Sequence, residues 1–341
     1  RDVLVESINR FMSYTDLVQE LDAIGDRIRE EQKQSSIGAV ASFLDAWLGS
    51  DVGFTRIVSR QSRGGQVNYV LSYRCLDASV VAREVIAQSH ATILMSGTLT
   101  PTQMYRELLG FPEDTRLLDL PSPFPAQNRL NLIVAKTSTK FTARSEEQYR
   151  EIARILTEII NATPGNSAVF FPSYKMKSDV EQYMERVEKT VFSESQELSK
   201  QEKEDMIRKF KSYVLTGAAL LGVVAGSFGE GIDLPGDLLK TVVVVGLPLG
   251  RPDLETKALI EYFDQKFKRG WDYGYVFPAF NKIIQNAGRC IRSETDRGVV
   301  VFLDERFTWT QYYRCFPDDW KLKVSVNQYK EKIEKFFEKR R

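Results

Sequence analysis

The stretch Leu220-Leu221-Gly222-Val223-Val224-Ala225-Gly226-Ser227-Phe228-Gly229-Glu230-Gly231-Ile232-Asp233 decides the fold of this chain. It begins as a largely apolar run with the length of a buried β-strand and continues as a glycine-rich loop. Similar apolar runs occupy residues 168–171, 241–245 and 299–303. Because segments with helical periodicity separate these runs, the pattern predicts an α/β fold, a parallel sheet covered by helices on both faces.

The rest of the chain shows mostly helical periodicity. Residues 1–50 carry three apolar stripes at helical spacing, whereas 67–74 is typical of a strand and 92–95 of a buried strand. Further helices are predicted near 79–88, 145–162, 174–188, 200–211, 253–268, 277–291 and from about 326 onward.

Two segments are candidate domain boundaries. A polar stretch with two glycines covers 59–66, and the proline-rich segment 120–125 favours an extended, stiff linker. The predicted organisation is therefore a helical segment over 1–62, a second part over 63–122 and a third over 123–341.

The composition excludes several classes of protein. The 341 residues include 47 Lys and Arg against 46 Asp and Glu, a balance that excludes a histone-like polycation but leaves room for a local basic groove. No run of apolar residues is long enough to cross a membrane. Three scattered cysteines and one histidine, His90, predict no metal site and suit a reducing cytosol. The chain opens without Met or an apolar leader, so we expect neither a natural start nor a signal peptide.

Four predicted strands end in small and hydroxyl-bearing residues. Ligands of open α/β sheets bind beyond the carboxyl ends of the strands, where such residues expose backbone N–H groups to phosphates. The segments are 96–101, 172–174, 226–233 and 246–252. Any one of these loops can be an ordinary turn, but four in equivalent places favour a phosphate-binding edge.

The most specific signal is the segment 285–292, Gln-Asn-Ala-Gly-Arg-Cys-Ile-Arg. On a helix, Gln285, Arg289 and Arg292 would point from one face, and two guanidinium groups together favour an anion site. Gly288 would let a neighbouring element approach closely. The alternative is a surface helix whose arginines pair with the acidic residues that follow, and spacing alone leaves both open.

Two other patterns resemble ligand-binding motifs but do not predict a ligand site. Asp304 and Glu305 follow an apolar run, like the acidic pair that holds magnesium in phosphate-loop enzymes, but the chain has no Gly-Lys dipeptide for the partner loop. These acids are therefore predicted to be structural and to pair with arginines such as Arg306. The glycines of 226–231 lack the GxGxxG spacing, so no dinucleotide site is predicted.

Taken in order, these segments resemble the motor core of the XPD-like branch of superfamily 2 DNA helicases, which includes FANCJ and DinG. The resemblance covers about residues 67–320 and is specific through the joint occurrence of its motifs. The matching segments are 96–101 with 109–111, 170–174, 229–233, and 285–292 with 304–307.

The resemblance implies a RecA-like sheet and a division of the motor. Residues 1–62 would be an arch-like helical remnant, 63–122 the C-terminal part of RecA-like lobe 1, and 123–341 lobe 2. Family members carry a Walker A loop, a DEAH-type motif and four iron–sulfur cysteines upstream, and none is in this chain. ATP and Mg²⁺ would therefore be used only in the complete enzyme, the iron–sulfur cluster would belong to the missing N-terminal part, and the fragment alone would be inactive.

The resemblance also implies residue roles. Arg289 and Arg292 would be arginine fingers, and Gln285 would contact the γ-phosphate or hold the attacking water. The residues expected at the nucleotide are Glu230, Gly231, Asp233 and Gly288. The residues expected at single-stranded DNA are Ser96, Thr98, Ser173, Tyr174 and Arg251.

The function implied by the resemblance is an ATP-dependent 5′–3′ DNA helicase. Its partners would be single-stranded DNA, the missing lobe 1 and repair proteins, with no membrane, in the cytoplasm or, in a eukaryote, the nucleus. The alternative is a non-catalytic RecA-like module that binds nucleic acid or protein, which the missing motifs favour if residue 1 is the start of the gene. A DinG-type enzyme with altered nucleic-acid chemistry is a third reading.

Overall fold

The computed structural model describes residues 1–63, 65–229, 234 and 236–338. The α-helices are α1 Asp2–Asn9, α2 Tyr14–Glu31, α3 Ser36–Trp47, α4 Ser79–Gln88, α5 Thr102–Leu109, α6 Glu146–Ala162, α7 Tyr174–Glu181, α8 Lys200–Ser212, α9 Leu254–Phe267, α10 Phe277–Ala287, α11 Thr310–Tyr313 and α12 Tyr329–Glu338. The strands are β1 Phe54–Arg63, β2 Gln66–Cys75, β3 Arg129–Val134, β4 Ser167–Phe171, β5 Thr190–Ser193, β6 Ala218–Val223, β7 Thr241–Val245, β8 Gly298–Leu303 and β9 Leu322–Ser325.

The chain forms two compact units. The first comprises Arg1–Thr92, Arg106–Glu113 and Pro252–Gly270. The second comprises Ile93–Tyr105, Asp114–Arg251 and Trp271–Arg341.

A seven-stranded parallel sheet in the order β5-β6-β4-β7-β8-β3-β9 forms the centre of the second unit. Every residue of β4, β6, β7 and β8 is buried, because helices cover a parallel sheet on both faces. The predicted α/β, RecA-like fold class is thereby confirmed, and the four apolar runs are strands of this sheet.

Successive strand residues point to opposite faces and so form two cores. On one face, Phe302 packs against Phe307 and Phe316, which also contact Phe280 of α10. On the other, the buried isoleucines of α6 pack against Val243 and Val301. Helix α6 begins where Ser145 accepts a hydrogen bond from the Gln148 N–H at 3.3 Å, a side-chain cap that satisfies an end donor.

Two predicted helices end early. The helix expected over 174–188 ends at Glu181, and Arg186 adopts a left-handed φ of 62° that no helix continues. The helix expected over 277–291 ends at Ala287 and is followed by one 3₁₀ turn.

The first unit corrects the prediction that residues 1–62 are helical. Helices α1–α3 are present, but β1 begins at Phe54 and pairs with β2 in an antiparallel hairpin. The described residues of the polar stretch 59–66 belong to this hairpin, so the stretch is not a boundary. Polar side chains are tolerated on an antiparallel ribbon open to water, and residues 60–62, 65 and 66 are exposed. The assignment of 63–122 to lobe 1 and of 123–341 to lobe 2 stays a prediction.

The prediction of a buried strand at 92–95 is wrong. These residues have no regular secondary structure, and Ile93 and Met95 are 86% and 83% exposed. A strand needs a neighbour to satisfy its backbone N–H and C=O groups, and none of the described strands pairs with this segment.

The side chain of Asn166 anchors the N-terminal end of β4 in the second unit. Its fully buried amide donates to the carbonyls of Phe210 and Leu238, both at 3.1 Å, and accepts from the Ala218 N–H at 2.8 Å. One side chain thus satisfies the backbone groups of three separate segments.

We expect Asn166→Asp to lower the free energy of unfolding by about 3 kcal/mol, because a carboxylate oxygen would replace the NH₂ that faces two carbonyls. Urea unfolding followed by circular dichroism measures this. Asn327→Asp at an exposed site is the control and should change stability by less than about 0.5 kcal/mol. Equal stabilities for the two variants would contradict the role of Asn166.

Asp77 holds the first unit together. Its carboxylate accepts hydrogen bonds from Tyr262 (2.7 Å) and Lys266 (2.6 Å) of α9 and from Ser79 at the start of α4 (2.6 Å). Burial acts to raise the pKa of Asp77, but the hydrogen bonds from Lys266, Ser79 and Tyr262 outweigh it and hold the pKa at about 2.

A pKa depressed from 3.8 to about 2 means that this stabilisation is present above pH 3.8 and is lost as the pH falls through 2. Asp77→Asn should therefore cost about 2 kcal/mol of unfolding free energy near pH 7 and progressively less below about pH 4. Urea unfolding of both proteins across this range tests it. A cost that stays constant down to about pH 2.5 would contradict the ion pair.

Candidate functional site

The chain leaves β3, β4, β6, β7 and β8 at one edge of the sheet of the second unit, because these strands are parallel. Polar or small residues follow each strand there. They are Thr139, Ser173, Gly226 to Gly229, Gly246 and Asp304. Of the four strand ends expected to lie together, those after 168–171, 220–225 and 241–245 are at this edge, whereas the segment before 96–101 is not a strand.

Asp304 joins three of these strand ends. It is fully buried, accepts from Arg306 Nε at 2.9 Å and Nη2 at 2.8 Å, and accepts from the Thr139 N–H at 2.7 Å. Gly246 has a φ of 65°, and a Cβ there would lie 2.1 Å from Thr139 Oγ1. The prediction that Asp304 is structural and pairs with Arg306 is confirmed, whereas Glu305 is exposed.

Ser173 and Tyr174 begin α7. Ser173 Oγ accepts from the Met176 N–H at 3.2 Å and caps the helix, which constrains the hydroxyl expected at DNA. Tyr174 is half-buried, and its hydroxyl donates to Glu194 Oε1 at 2.9 Å. Burial and then the bond to Glu194 raise the pKa of Tyr174 to about 12.

Glu194 is a site residue that sequence reasoning missed. It follows the edge strand β5, is 1% exposed, and also accepts from the Ser227 N–H at 2.7 Å and the Val223 N–H at 3.0 Å. The signal in the sequence is weak: a single acid after a four-residue strand, with glycines at 222 and 226 that only the structure brings beside it.

The predicted common helical face of Gln285, Arg289 and Arg292 is wrong. Helix α10 ends at Ala287, Arg289 lies in the following 3₁₀ turn, and Arg292 lies beyond that turn. The Asp296 carboxylate accepts from the backbone N–H of Arg292 at 2.7 Å and of Ser293 at 2.9 Å, which draws the chain into a turn.

The two arginines consequently have different surroundings. Arg289 is only 7% exposed, and its guanidinium donates to the Gly229 carbonyl. Arg292 is exposed. Gly288 is exposed as well, and a Cβ there would meet nothing within 4 Å, so among the described residues the expected close approach is absent.

Gln285 contacts the segment after residue 95. Its Nε2 donates to Thr98 Oγ1 at 3.1 Å, while the Thr98 N–H donates to Ser96 Oγ at 3.2 Å. One turn earlier on α10, Asn281 Nδ2 donates to the Tyr105 hydroxyl at 2.5 Å. The segments 96–98, 226–229 and 285–289 therefore meet around the end of α10.

The other expected site residues are less informative. Arg251 is exposed, next to Gly250, whose carbonyl accepts from the Tyr275 hydroxyl. Glu230, Gly231 and Asp233 lie outside the described residues.

Neither a metal cluster nor a membrane span appears in the described part of the chain. It contains no group of three or more His, Cys, Asp or Glu residues placed to hold a metal ion. Burial raises the pKa of the Cys290 thiol to about 12, so this buried cysteine stays protonated near neutral pH. Of the described helices, none has the length and apolar character needed to cross a membrane.

The chain is similar to known helicases. Residues 156–323 match the family described as helicase C-terminal domain. The chain is 28% identical to the mouse ATP-dependent DNA helicase DDX11 over 308 residues, 79% of this chain and 33% of that protein. It is 29% identical to the ATP-dependent DNA helicase DinG of Photobacterium profundum over 238 residues, 68% of this chain and 34% of DinG.

A third relative is the Saccharomyces cerevisiae XPD/RAD3 helicase subunit of general transcription and DNA repair factor IIH, 25% identical over 82% of this chain and 38% of that subunit. A solved XPD helicase has the same fold, with a TM-score of 0.64 and 23% identity over 91% of this chain and 55% of that structure. The chain spans 33% to 38% of the length of these three curated relatives. The matched helicase C-terminal domain and the sequence relatives support a C-terminal region of the XPD-like branch of superfamily 2 helicases, and the solved XPD helicase shares the RecA-like fold.

Proposed function

We propose that this chain is the C-terminal motor portion of an ATP-dependent 5′–3′ DNA helicase and supplies single-stranded DNA contacts and an arginine finger, Arg292. Arg289, the other expected finger, is buried and instead positions the end of α10. The observation that carries the proposal is the meeting of 96–98, 226–229 and 285–289 through the contacts of Gln285 and Arg289. Relatives named as ATP-dependent DNA helicases support the activity.

Arg289 and Arg292 have different roles at the nucleotide. Arg292 is exposed, so its guanidinium can reach the γ-phosphoryl oxygens and stabilise the charge that develops on them. Arg289 is held against the Gly229 carbonyl and keeps the end of α10 in register with the loop that begins at Gly226. Gln285 holds the γ-phosphate or the attacking water. Its hydrogen bond to Thr98 links the bound γ-phosphate or water to the segment 96–98.

The nucleotide itself would bind between this chain and the first lobe. Walker A and DEAH-type motifs of that lobe would hold ATP and Mg²⁺, which supply the phosphoryl group and neutralise its charge. Glu230, Gly231, Asp233 and Gly288 would border the nucleotide from this side. The open space beside Gly288 supports this, because a phosphate can approach backbone that no side chain covers.

Exposed apolar residues support a partner lobe. Ile93, Met95, Leu118 and Leu120 are all exposed, and a partner lobe that covered them would remove their apolar surface from water. The unpaired segment 92–95 would become a strand when the sheet of lobe 1 lies beside it, and 63–122 would then belong to that lobe. Any iron–sulfur cluster would lie in the part of the enzyme upstream of this chain.

Single-stranded DNA would cross the same edge of the sheet. Arg251 would pair with a phosphate, and the hydroxyls of Ser96, Thr98 and Ser173 would add hydrogen bonds. Since the Tyr174 hydroxyl is bound to Glu194, its partly exposed ring is the part available to stack on a base.

In the full-length protein, we expect Arg292→Ala to lower kcat for DNA-stimulated ATP hydrolysis about 10³-fold or more, because the transition state would lose a finger. Steady-state turnover with saturating single-stranded DNA measures this. Arg208→Ala, which removes an exposed arginine of α8, is the matched control and should stay within about twofold. If Arg292→Ala stays within about threefold of the wild-type protein, the finger assignment is wrong.

For DNA binding, each phosphate contact contributes about 0.7 to the slope of log affinity against log salt for a single strand. Arg251→Ala should therefore reduce that slope by about 0.7, while Arg251→Lys should keep it. Fluorescence anisotropy of a labelled oligonucleotide at several salt concentrations provides the slopes. An unchanged slope in the alanine variant would remove Arg251 from the interface.

The same assays separate the alternative function. A full-length protein that binds single-stranded DNA but shows no ATP turnover would be the non-catalytic RecA-like module. ATP turnover that rises on addition of the strand favours the motor.

A further inference from the structure

Glu194 is a buried carboxylate that connects two segments of the candidate site. Its Oε1 accepts from the Tyr174 hydroxyl at 2.9 Å and from the Ser227 N–H at 2.7 Å. Its Oε2 accepts from the Val223 N–H at 3.0 Å. Because a buried acceptor that loses a hydrogen bond stays unsatisfied, these three hydrogen bonds link α7 to the loop that follows β6.

Gly222 and Gly226 leave space for this carboxylate that a side chain at either position would reduce. A Cβ built on Gly226 would lie 2.7 Å from both Glu194 oxygens, and one on Gly222 would lie 3.2 Å from Oε2. A side chain at residue 226 would force the carboxylate to move. The two glycines therefore permit the close approach on which the Ser227 and Val223 hydrogen bonds depend.

A neighbouring contact provides a comparison. Ser193, the residue before Glu194, accepts from Lys177 Nζ at 2.5 Å and donates to Glu181 Oε2 at 2.9 Å. Lys177 and Glu181 both belong to α7. Ser193 thus anchors the same helix as Glu194, but its described contacts do not extend to the loop at Gly226.

We propose that Glu194 is a positioning residue that transmits occupancy of the DNA contact at Tyr174 to the loop beginning at Gly226, and so couples strand binding to the nucleotide site. The proposal rests on the proposed helicase function. Because Tyr174 and Ser227 share one carboxylate oxygen, a base that stacks on the tyrosine ring and shifts the phenol also shifts the hydrogen bond to Ser227.

The contacts that run from Tyr174 through Glu194 to Ser227 continue to Arg289. Two residues after Ser227, the Gly229 carbonyl accepts from the guanidinium of Arg289. A shift of the loop therefore changes the placement of Arg289 and of the end of α10. Each step is a hydrogen bond or a short stretch of backbone within the second unit, so the coupling requires no contact with the first unit.

The test uses the full-length protein with two variants, Glu194→Gln and Tyr174→Phe. The amide of Glu194→Gln keeps the side-chain size but places an NH₂ group where a carboxylate oxygen accepts hydrogen bonds. Tyr174→Phe removes only the hydroxyl that reaches Glu194. Two ratios are measured for each protein: ATP turnover with and without single-stranded DNA, and the Kd for that DNA with and without a non-hydrolysable ATP analogue.

We expect both variants to reduce both ratios by about 5-fold or more. The Kd ratio falls because the coupling free energy between the two binding equilibria is lost. The turnover ratio falls because strand binding no longer reaches the loop whose Gly229 carbonyl holds Arg289. Ser193→Ala is the matched control. It weakens the anchoring of the same helix and should lower Tm while leaving both ratios within about twofold of the wild-type values.

The outcomes separate the two proposals. A wild-type protein without DNA-stimulated ATP turnover contradicts the proposed function itself. A wild-type protein with that stimulation, and variants whose two ratios stay within about twofold of it, overturns the role of Glu194 alone. If Glu194→Gln fails to fold, Tyr174→Phe decides by the same criterion, and equal losses in Ser193→Ala also count against the coupling.

Discussion

The pairing of Asp304 with Arg306 and Thr139 is the interaction on which the site edge depends. An ionised carboxylate with no exposed surface is stable only when its oxygens are fully satisfied, and here two residues satisfy them within 3 Å. Thr139 follows β3 and Asp304 follows β8, while Gly246 leaves the space that Thr139 needs. Three strand ends are thus fixed in one place before any ligand is present.

The same physical logic recurs along the edge. Glu194 is buried beside the loop after β6 and is satisfied by backbone N–H groups and by Tyr174, and Arg289 is buried against the Gly229 carbonyl. Hydrogen bonds to buried polar groups resist breaking, because breaking one leaves an unpaired group in a medium of low dielectric constant. In the proposed function this edge would position phosphates, and Arg292 and Arg251, both exposed, would meet them.

The sequence predicted the central fold well because its signals are local. Five-residue apolar runs between helical stripes predicted β4, β6, β7 and β8, and the chemistry of Asp304 beside Arg306 predicted their pairing. The prediction of a buried strand at 92–95 was wrong. An apolar run shows only that a segment is suited to burial, whereas a buried strand also requires a neighbouring strand to pair with. The prediction of a helix through Arg289 was wrong because the Asp296 carboxylate accepts hydrogen bonds from the N–H groups of Arg292 and Ser293 and draws them into a turn. The spacing of residues does not show that this turn competes with the helix.

The sequence by itself determined the class of sheet, the identity of the motif-bearing loops and the family, because all three are encoded in short runs and in the order of those runs. Only the tertiary structure decided which side chains meet: Gln285 with Thr98, Arg289 with Gly229, and Glu194 with Tyr174 and Ser227. The partners in each contact are between 20 and 187 residues apart. Contacts at such separations depend on strand order and on which buried polar groups need partners, and both are properties of the folded chain.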